Sequence, residues 1–532
     1  MEPGPIVEFG EPFFGGNGKN SNGADGFALR TNLQMDVGED TTFDLTIAHS
    51  EDNDAPIGQW IVFLTDVDAN GLGVEVGAPI TGDVHKHGGS EVSAGGLDTG
   101  LDREGTSITG RITMQLTDNI ELVSVTNWMD MDKSHREDGG GGLIEFGFMT
   151  IADYKQWSQE IRLSGDGEGF RWQVGGYYLD MTNDTLAVVS GPIVTGFAQG
   201  IIDGFAKVES TNWSLFGQVE YDFSDTLTVI GGFRWSQDDK NIDFFNVARS
   251  GMDVPDGTVL FDLDALAVGE FADVPNIKYG DYATRLQLNW QANEETLVFA
   301  SYNRGIKGGN WSPNAFVDIA EFKHKEETLH AYELGIKTSF AEGKARLNAT
   351  AFYYDYKDYQ AFSLTNLTPQ VTNSDATNKG GEIELFLLPT DNWDIILGAS
   401  FIDSNIDQAP GAAPGSFILD AELPSAPGYS FNYLVRYNMD MLEGNVALQL
   451  DGVFNDQQFL ESHNGGSSIQ GSYGMANASI SYSSGDSAWD ISVWVKNLTD
   501  EEVAIYSLDI GGFVIRQYNP PRQFGLTATY NW

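Results

Sequence analysis

Apolar and polar side chains alternate along most of this chain, and tight turns interrupt the alternation at intervals. Phe27, Leu29, Leu33, Met35 and Val37 oppose Ala28, Arg30, Asn32, Gln34 and Asp36; after Gly38-Glu39-Asp40, Phe43, Leu45 and Ile47 oppose Asp44, Thr46 and Ala48. Strand side chains point to the two faces in turn, so period two predicts a hairpin with one greasy and one wet face. The pattern returns around Thr109 to Leu116, turns at Thr117-Asp118-Asn119 and resumes from Glu121 to Met131. Leu215, Gly217, Val219, Tyr221 and Phe223 precede Ser224-Asp225, and Leu227, Val229, Gly231, Phe233 and Trp235 follow it. Further tight turns are expected at Ala292-Asn293-Glu294, Ala341-Glu342-Gly343, Pro389-Thr390-Asp391, Met441-Leu442-Glu443 and Ser484-Gly485-Asp486. The final stretch alternates too, with Phe524, Leu526, Ala528, Tyr530 and Trp532 on one face.

The other ends of these strands open into polar segments, notably 50 to 105, 239 to 278, 305 to 326, 359 to 375 and 404 to 426. Short turns on one rim and long loops on the other are the pattern of a transmembrane β-barrel. The fold class read from this is all-β: an antiparallel transmembrane barrel with short periplasmic turns, long extracellular loops and strands of about 10 to 14 residues, longer than those of soluble sheets. Phe223, Trp290, Phe340, Trp393, Trp489 and Trp532 fall near the short-turn rim, and Trp128, Trp235 and Tyr302 near the long-loop ends. Two interfacial aromatic girdles account for that sorting; a soluble sandwich or propeller would not sort aromatics by height. About nineteen strands are counted. The first clear strand and the last then run in the same sense, so an even-stranded barrel requires an odd number, one or three, before residue 27.

Composition excludes several alternatives. The chain has 62 Gly, 32 Phe, 20 Tyr and 12 Trp, yet no apolar run approaches the roughly 18 residues of a membrane helix. Twenty-nine Lys and Arg against 77 Asp and Glu give a net charge of -48, which repels nucleic-acid phosphates. The zero cysteine count fits folding outside the cytosol without disulfides. Residues 1 to 24, rich in Gly and Asn, read as loop, and residues 25 to 532 as barrel. Met1 to Ile6 lacks the basic and apolar segments of a secretory signal. Gly18-Lys19-Asn20 has Phe13 where a phosphate loop needs Gly and Asn20 where it needs Ser or Thr.

Several stretches resemble the barrel of TonB-dependent outer-membrane receptors: Phe216 to Tyr221 with Gly232-Phe233-Arg234-Trp235, Phe299 to Gly309, Tyr332 to Lys337, Lys379-Gly380-Gly381-Glu382-Ile383-Glu384, Val495 to Asp500 and Pro521 to Gly525. The resemblance runs from about residue 10 to the end. It implies a 22-stranded barrel in the outer membrane of a Gram-negative bacterium, a plug domain filling it, and a TonB box coupling uptake to the inner-membrane proton gradient. It implies ligands such as ferric siderophores, haem, cobalamin or glycans, with an iron chelate leading. Neither plug nor TonB box is recognised in this sequence, and nineteen strands plus three make the family's 22. The expectation is therefore a barrel portion without its plug and first three strands. A passive pore, an adhesion barrel without energy coupling, or a non-functional fragment remains the rival reading, and a soluble carbohydrate-active β-protein a third.

No nucleophile-base-acid arrangement stands out, so an enzyme is not expected. Arg304, Lys307, Asn310 and Trp311 lie where a strand enters a long loop, suited to pairing with or stacking on an anionic chelate; structural pairing with acidic wall neighbours is the alternative. Asp66-Val67-Asp68-Ala69-Asn70-Gly71 matches the first half of a calcium loop, with alternate oxygens around a hard cation. Gly77 takes the twelfth position and Glu75 is the nearest substitute, so Asp66, Asp68, Asn70 and Glu75 are the calcium candidates. His85-Lys86-His87 sets two imidazoles on one side of an extended segment, a weaker metal candidate.

Overall fold

The computed structural model describes residues 26–55, 61–67, 73–75, 100–138, 146–191, 200–313, 318–365, 368–411, 417–509 and 513–531. The main sheet holds 21 strands, of which Thr258–Asp262 and Phe417–Ala421 are short side pieces; the other nineteen follow one another antiparallel from Gly26–Asp36 to Gln523–Tyr530. The predicted strand count and sheet type are therefore observed. The first hairpin has the register its pattern requires, with Leu33 opposite Leu45 and Met35 opposite Phe43.

Tight turns close the short-turn rim. Ala341, Glu342 and Gly343 take φ of 52°, 58° and 81° between Glu327–Phe340 and Ala345–Thr365. Leu442 and Glu443, at φ 57° and 56°, reverse the chain between Tyr429–Met441 and Gly444–Asn455. Two successive left-handed residues match the right-handed twist of the strands they join.

Strand lengths depart from expectation. Ile201–Ser224 and Leu227–Ser250 each run 24 residues. Of the segment 359 to 375, expected as loop, residues 359–365 and 368–375 form the outer half of the hairpin Ala345–Thr365 with Thr368–Leu387, whose ladder continues to Thr365 opposite Thr368 past a bulge between Tyr356 and Tyr359. Likewise the stretch from 50 to 105 holds the end of Thr41–Ala55, the start of Gly100–Thr117, and the strands Ile61–Val67 and Gly73–Glu75. Beyond the membrane neither face meets lipid, so the ladder persists while the apolar alternation fades. A pattern-based reading takes such segments for loop.

The lipid face carries the expected aromatics at two heights. Phe223, Trp290, Phe340, Trp393, Trp489 and Tyr530 are exposed near the short turns, and Trp128, Trp157, Tyr178, Trp213, Trp235, Tyr282, Tyr332 and Tyr353 near the long connections. On Asn276–Asn293 the two girdles are represented by Tyr282 and Trp290. Eight steps of about 3.3 Å, tilted about 40°, separate them by roughly 20 Å of height, close to the apolar band of an outer-membrane barrel.

The family-like glycines sit under aromatic rings. A side chain at Gly335 would strike the Phe299 ring, and one at Gly525 the Trp494 ring, each reaching across from the neighbouring strand. The bare backbone is what lets the ring lie flat on the sheet. Gln523–Tyr530 pairs with Trp489–Lys496 as expected. Among the described residues no ladder joins it to Gly26–Asp36, and Phe524 and Leu526 are 84% and 68% exposed. Trp532 and residues 1 to 24 lie outside the described residues.

Candidate functional site

Inside the barrel, polar side chains bond one another along the wall. Asn127 donates to Ser107 and Thr109, Tyr354 to Glu333 at 2.7 Å, Asn348 to Glu384 at 3.0 Å and Asn477 to Asp451 at 2.8 Å. These wall groups thereby satisfy one another across neighbouring strands. The larger buried structure stands at the extracellular mouth, where the long connections fold back on the strand ends.

One connection closes over Leu227–Ser250. Ile242, Phe244, Leu263, Ile277, Trp311 and Phe322 form a buried cluster, with Phe261, Val274, Tyr279 and Ile319 packed on it. Phe322 is fully buried, with its ring centroid 5.3 Å from that of Phe244 and 5.9 Å from that of Phe261. Asp262 caps the one-turn helix Leu263–Leu266 by accepting from the Ala265 backbone N–H, which satisfies a donor the short helix cannot. A second cluster, around Ala361, Ala376, Ile406 and Leu423, anchors the next connections.

Of the four sequence-predicted ligand residues, Trp311 belongs to the first cluster, and Arg304, Lys307 and Asn310 lie on the strand and connection that lead to it. Arg304 is 2.6 Å from Asp281, donates to the Tyr282 carbonyl and lies over the Tyr282 ring, its guanidinium 4.2 Å from the centroid. Lys307 stands opposite Glu327 in the ladder, 3.7 Å from its carboxylate, with its own amine largely in solvent. Asn310 is exposed and Trp311 is buried, its indole N–H donating to the Val274 carbonyl at 2.6 Å. Asn310–Trp311 pairs with Lys323–His324 as a two-residue ladder.

Further lysines stand here, each close to a carboxylate or a carbonyl, in a molecule of negative overall charge. Lys240 donates to the Gly309 carbonyl at 3.0 Å, and Lys323 reaches Asp273 and the Asn276 carbonyl. His324 is 8% exposed. Burial, then the charges of Lys307 and Lys240, push its pKa down to about 4, so the imidazole is neutral in a positive field. Lys240, Lys323 and His324 were not singled out from the sequence, because only the register and the returning loop bring Lys240 and His324 near Lys307 and set Lys323 on Asp273.

A further mouth structure also escaped the sequence reading. Ala504–Asp509, Phe513–Tyr518, Ile61–Val67 and Gly73–Glu75 make one four-stranded sheet, so connections from opposite ends of the chain meet above the barrel. Against it sits a buried polar knot. His463 lies 2.9 Å from Glu461, Ser467 donates to Asp509 at 2.8 Å, and Arg516 bonds the Ser467 carbonyl. Burial lowers the His463 pKa, but the Glu461 hydrogen bond and the Glu461 and Asp509 charges outweigh it and leave the net shift upward.

Of the calcium candidates, Asp66 stands opposite Val74 and Glu75 opposite Thr65 in the Ile61–Val67 and Gly73–Glu75 pair. Asp68 and Asn70 lie outside the described residues, as do His85, Lys86, His87 and Gly18 to Asn20.

Comparison with known proteins places this architecture. The family model for the TonB dependent receptor-like β-barrel matches residues 16–498. The ferric yersiniabactin uptake receptor FyuA from Yersinia pestis superposes with a TM-score of 0.67 at 17% identity, over 95% of this chain and 77% of that one. The siderophore receptor PiuA from Acinetobacter baumannii gives 0.68 at 15%, over 96% and 74%. Among curated proteins, the pesticin receptor of Yersinia pestis is 22% identical over 330 residues, 61% of this chain and 44% of that receptor. The metal-pseudopaline receptor CntO of Pseudomonas aeruginosa (strain UCBPP-PA14) is 25% identical over 153 residues, 29% of this chain and 21% of its own length. The chain thus spans less than half the length of either curated relative. The family and these neighbours are transport receptors rather than enzymes. With nineteen successive antiparallel strands, two aromatic girdles and a family match over most of its length, the chain belongs to the TonB dependent receptor-like β-barrel family.

Proposed function

We propose that this chain is the barrel of an outer-membrane receptor of a Gram-negative bacterium that takes up an anionic metal chelate, a ferric siderophore being the leading candidate. The observation that supports the ligand class is the Lys307 amine, largely in solvent at the mouth and close enough with Lys240 to hold His324 neutral, in a chain of net charge -48. A negative molecule repels anions at long range, so solvent-exposed amines at the entrance are where an anionic chelate gains a favourable contact. Lys307 and Asn310 present the exposed polar groups; Arg304 and Trp311 hold the rim in shape through Asp281 and Val274. The two siderophore receptors of like fold are in keeping with this ligand class. Energy coupling, in this reading, runs through a plug domain and TonB.

The test is tryptophan-fluorescence quenching of the detergent-solubilised chain by a panel of ferric chelates of graded charge. Saturable binding of an anionic member, weakened about tenfold in a Lys240→Ala/Lys307→Ala variant as two charge contacts of roughly 0.5 to 1 kcal/mol each are lost, supports the proposal. Equal binding by the variant, or binding confined to neutral and cationic members, overturns it.

A further inference from the structure

The outer wall carries a second constellation that chelate capture does not use. On Thr41–Ala55 the lipid-facing positions run Phe43, Leu45, Ile47, and the next two on the same face are His49 and Glu51. Register sets Ile47 beside Ile108, which faces Trp128 of the upper girdle, so His49 and Glu51 begin one step above the apolar band. There His49 stands opposite Thr106 and Glu51 opposite Glu104. The next strand places Asp132 opposite Glu104. Three carboxylates therefore stand side by side on three adjacent strands, an arrangement that repels in an isolated sheet. Among the described residues no Lys or Arg forms a salt bridge with Glu51 or Glu104, while Asp132 shares the field of Lys155 on the next strand.

His49 makes the group more than an acidic patch. Its Nδ1 is 2.9 Å from the Thr106 hydroxyl and its Nε2 is 3.3 Å from Glu51 Oε1. Ligand atoms of His49, Glu51 and Glu104 all lie within 4.8 Å of one another. An imidazole whose Nδ1–H donates to an oxygen offers Nε2 as a metal ligand with fixed tautomer and ring orientation, the usual outer-shell support of a bound cation. The Phe27 ring, its centroid 5.6 Å from that of His49, limits the imidazole on its other side.

We infer that His49, Glu51 and Glu104 form a binding site for a first-row divalent transition cation on the outer wall, with Asp132 able to complete it. One nitrogen and two or three carboxylate oxygens suit zinc or a neighbouring ion better than magnesium, which takes oxygen ligands and keeps its waters. The cation offsets the repulsion between Glu51 and Glu104 and ties Thr41–Ala55 to Gly100–Thr117 at the level where the wall leaves the membrane.

Isothermal titration of the EDTA-stripped, detergent-solubilised chain with ZnCl2 tests this. A His85→Ala/His87→Ala background removes the other paired imidazoles. One saturable zinc per chain is expected, lost in His49→Gln and in Glu104→Gln and weakened about tenfold in Thr106→Val, the outer-shell change. Circular dichroism of each variant confirms the folded barrel. No saturable zinc heat, or heat unchanged in His49→Gln and Glu104→Gln, would overturn the site; an equal response to MgCl2 would overturn the assignment to a nitrogen-accepting cation.

Discussion

Replacing Phe322 by Ala examines how far the mouth is a folded unit distinct from the wall. Phe322 is 0% exposed and packs between Phe244 on the long strand and Phe261 on the short one. Truncating a buried Phe costs about 3 to 5 kcal/mol in transfer and cavity energy. That cost falls on the connections rather than on the ladder, because Phe322 lies outside the nineteen wall strands while Ile242 and Phe244 keep their backbone partners on Ile201–Ser224. The opening free energy of the cap should therefore drop by about 3 kcal/mol, roughly a hundredfold in local opening. Hydrogen exchange by mass spectrometry would show this as faster exchange in peptides covering 258 to 275 and 318 to 324, with the strands Glu327–Phe340 and Ala345–Thr365 unchanged. Unchanged exchange in those cap peptides would refute the packing argument, and equal acceleration in the wall strands would show that cap and wall unfold as one.

Two further outcomes are expected. Arg304→Met leaves Asp281, only 15% exposed, without its cation; breaking such a pair costs about 3 to 5 kcal/mol, whereas the Arg304→Met/Asp281→Asn double variant should recover most of it. The heat-modifiability transition on gels measures both, and equal losses in the single and double variants would contradict the pairing. The two buried mouth histidines should respond to pH in opposite senses. His324, with its folded pKa near 4, holds its loop most firmly above the ordinary histidine value and loses that contribution as pH falls from about 6.5 towards 4, up to roughly 3 kcal/mol. His463, whose folded pKa is raised, stabilises its knot below about 6.5 and loses that contribution as pH rises through the folded value. Exchange rates of peptides containing each histidine, followed from pH 4 to 8, should cross; parallel profiles would contradict one of the two environments.

Much of the wall was legible because lipid imposes a simple rule. Leu33, Ile47, Phe233 and Leu286 each meet lipid by the same alternation that marks them in the sequence, and Trp290 or Trp393 is placed by the interface it prefers. The outer halves of the strands were not legible. Around Ala361 and Ala376 the ladder continues with small residues under a folded loop, and no periodicity announces it. Trp311 illustrates the same limit at the mouth. Its position at the end of a strand is visible in the sequence, but its burial against Phe322 and Val274 depends on a loop that leaves and returns.

By itself the sequence determined the membrane-spanning sheet, its strand number, its short-turn rim and its two aromatic girdles, since all four follow from local period, turn chemistry and the thickness of a bilayer. Only the tertiary structure decided which side chains meet. Lys240 with Lys307 and His324, His463 with Asp509, and His49 with Glu104 come from segments far apart in the chain. Register and loop return bring them together, and neither is encoded in any one stretch that an alternation could reveal.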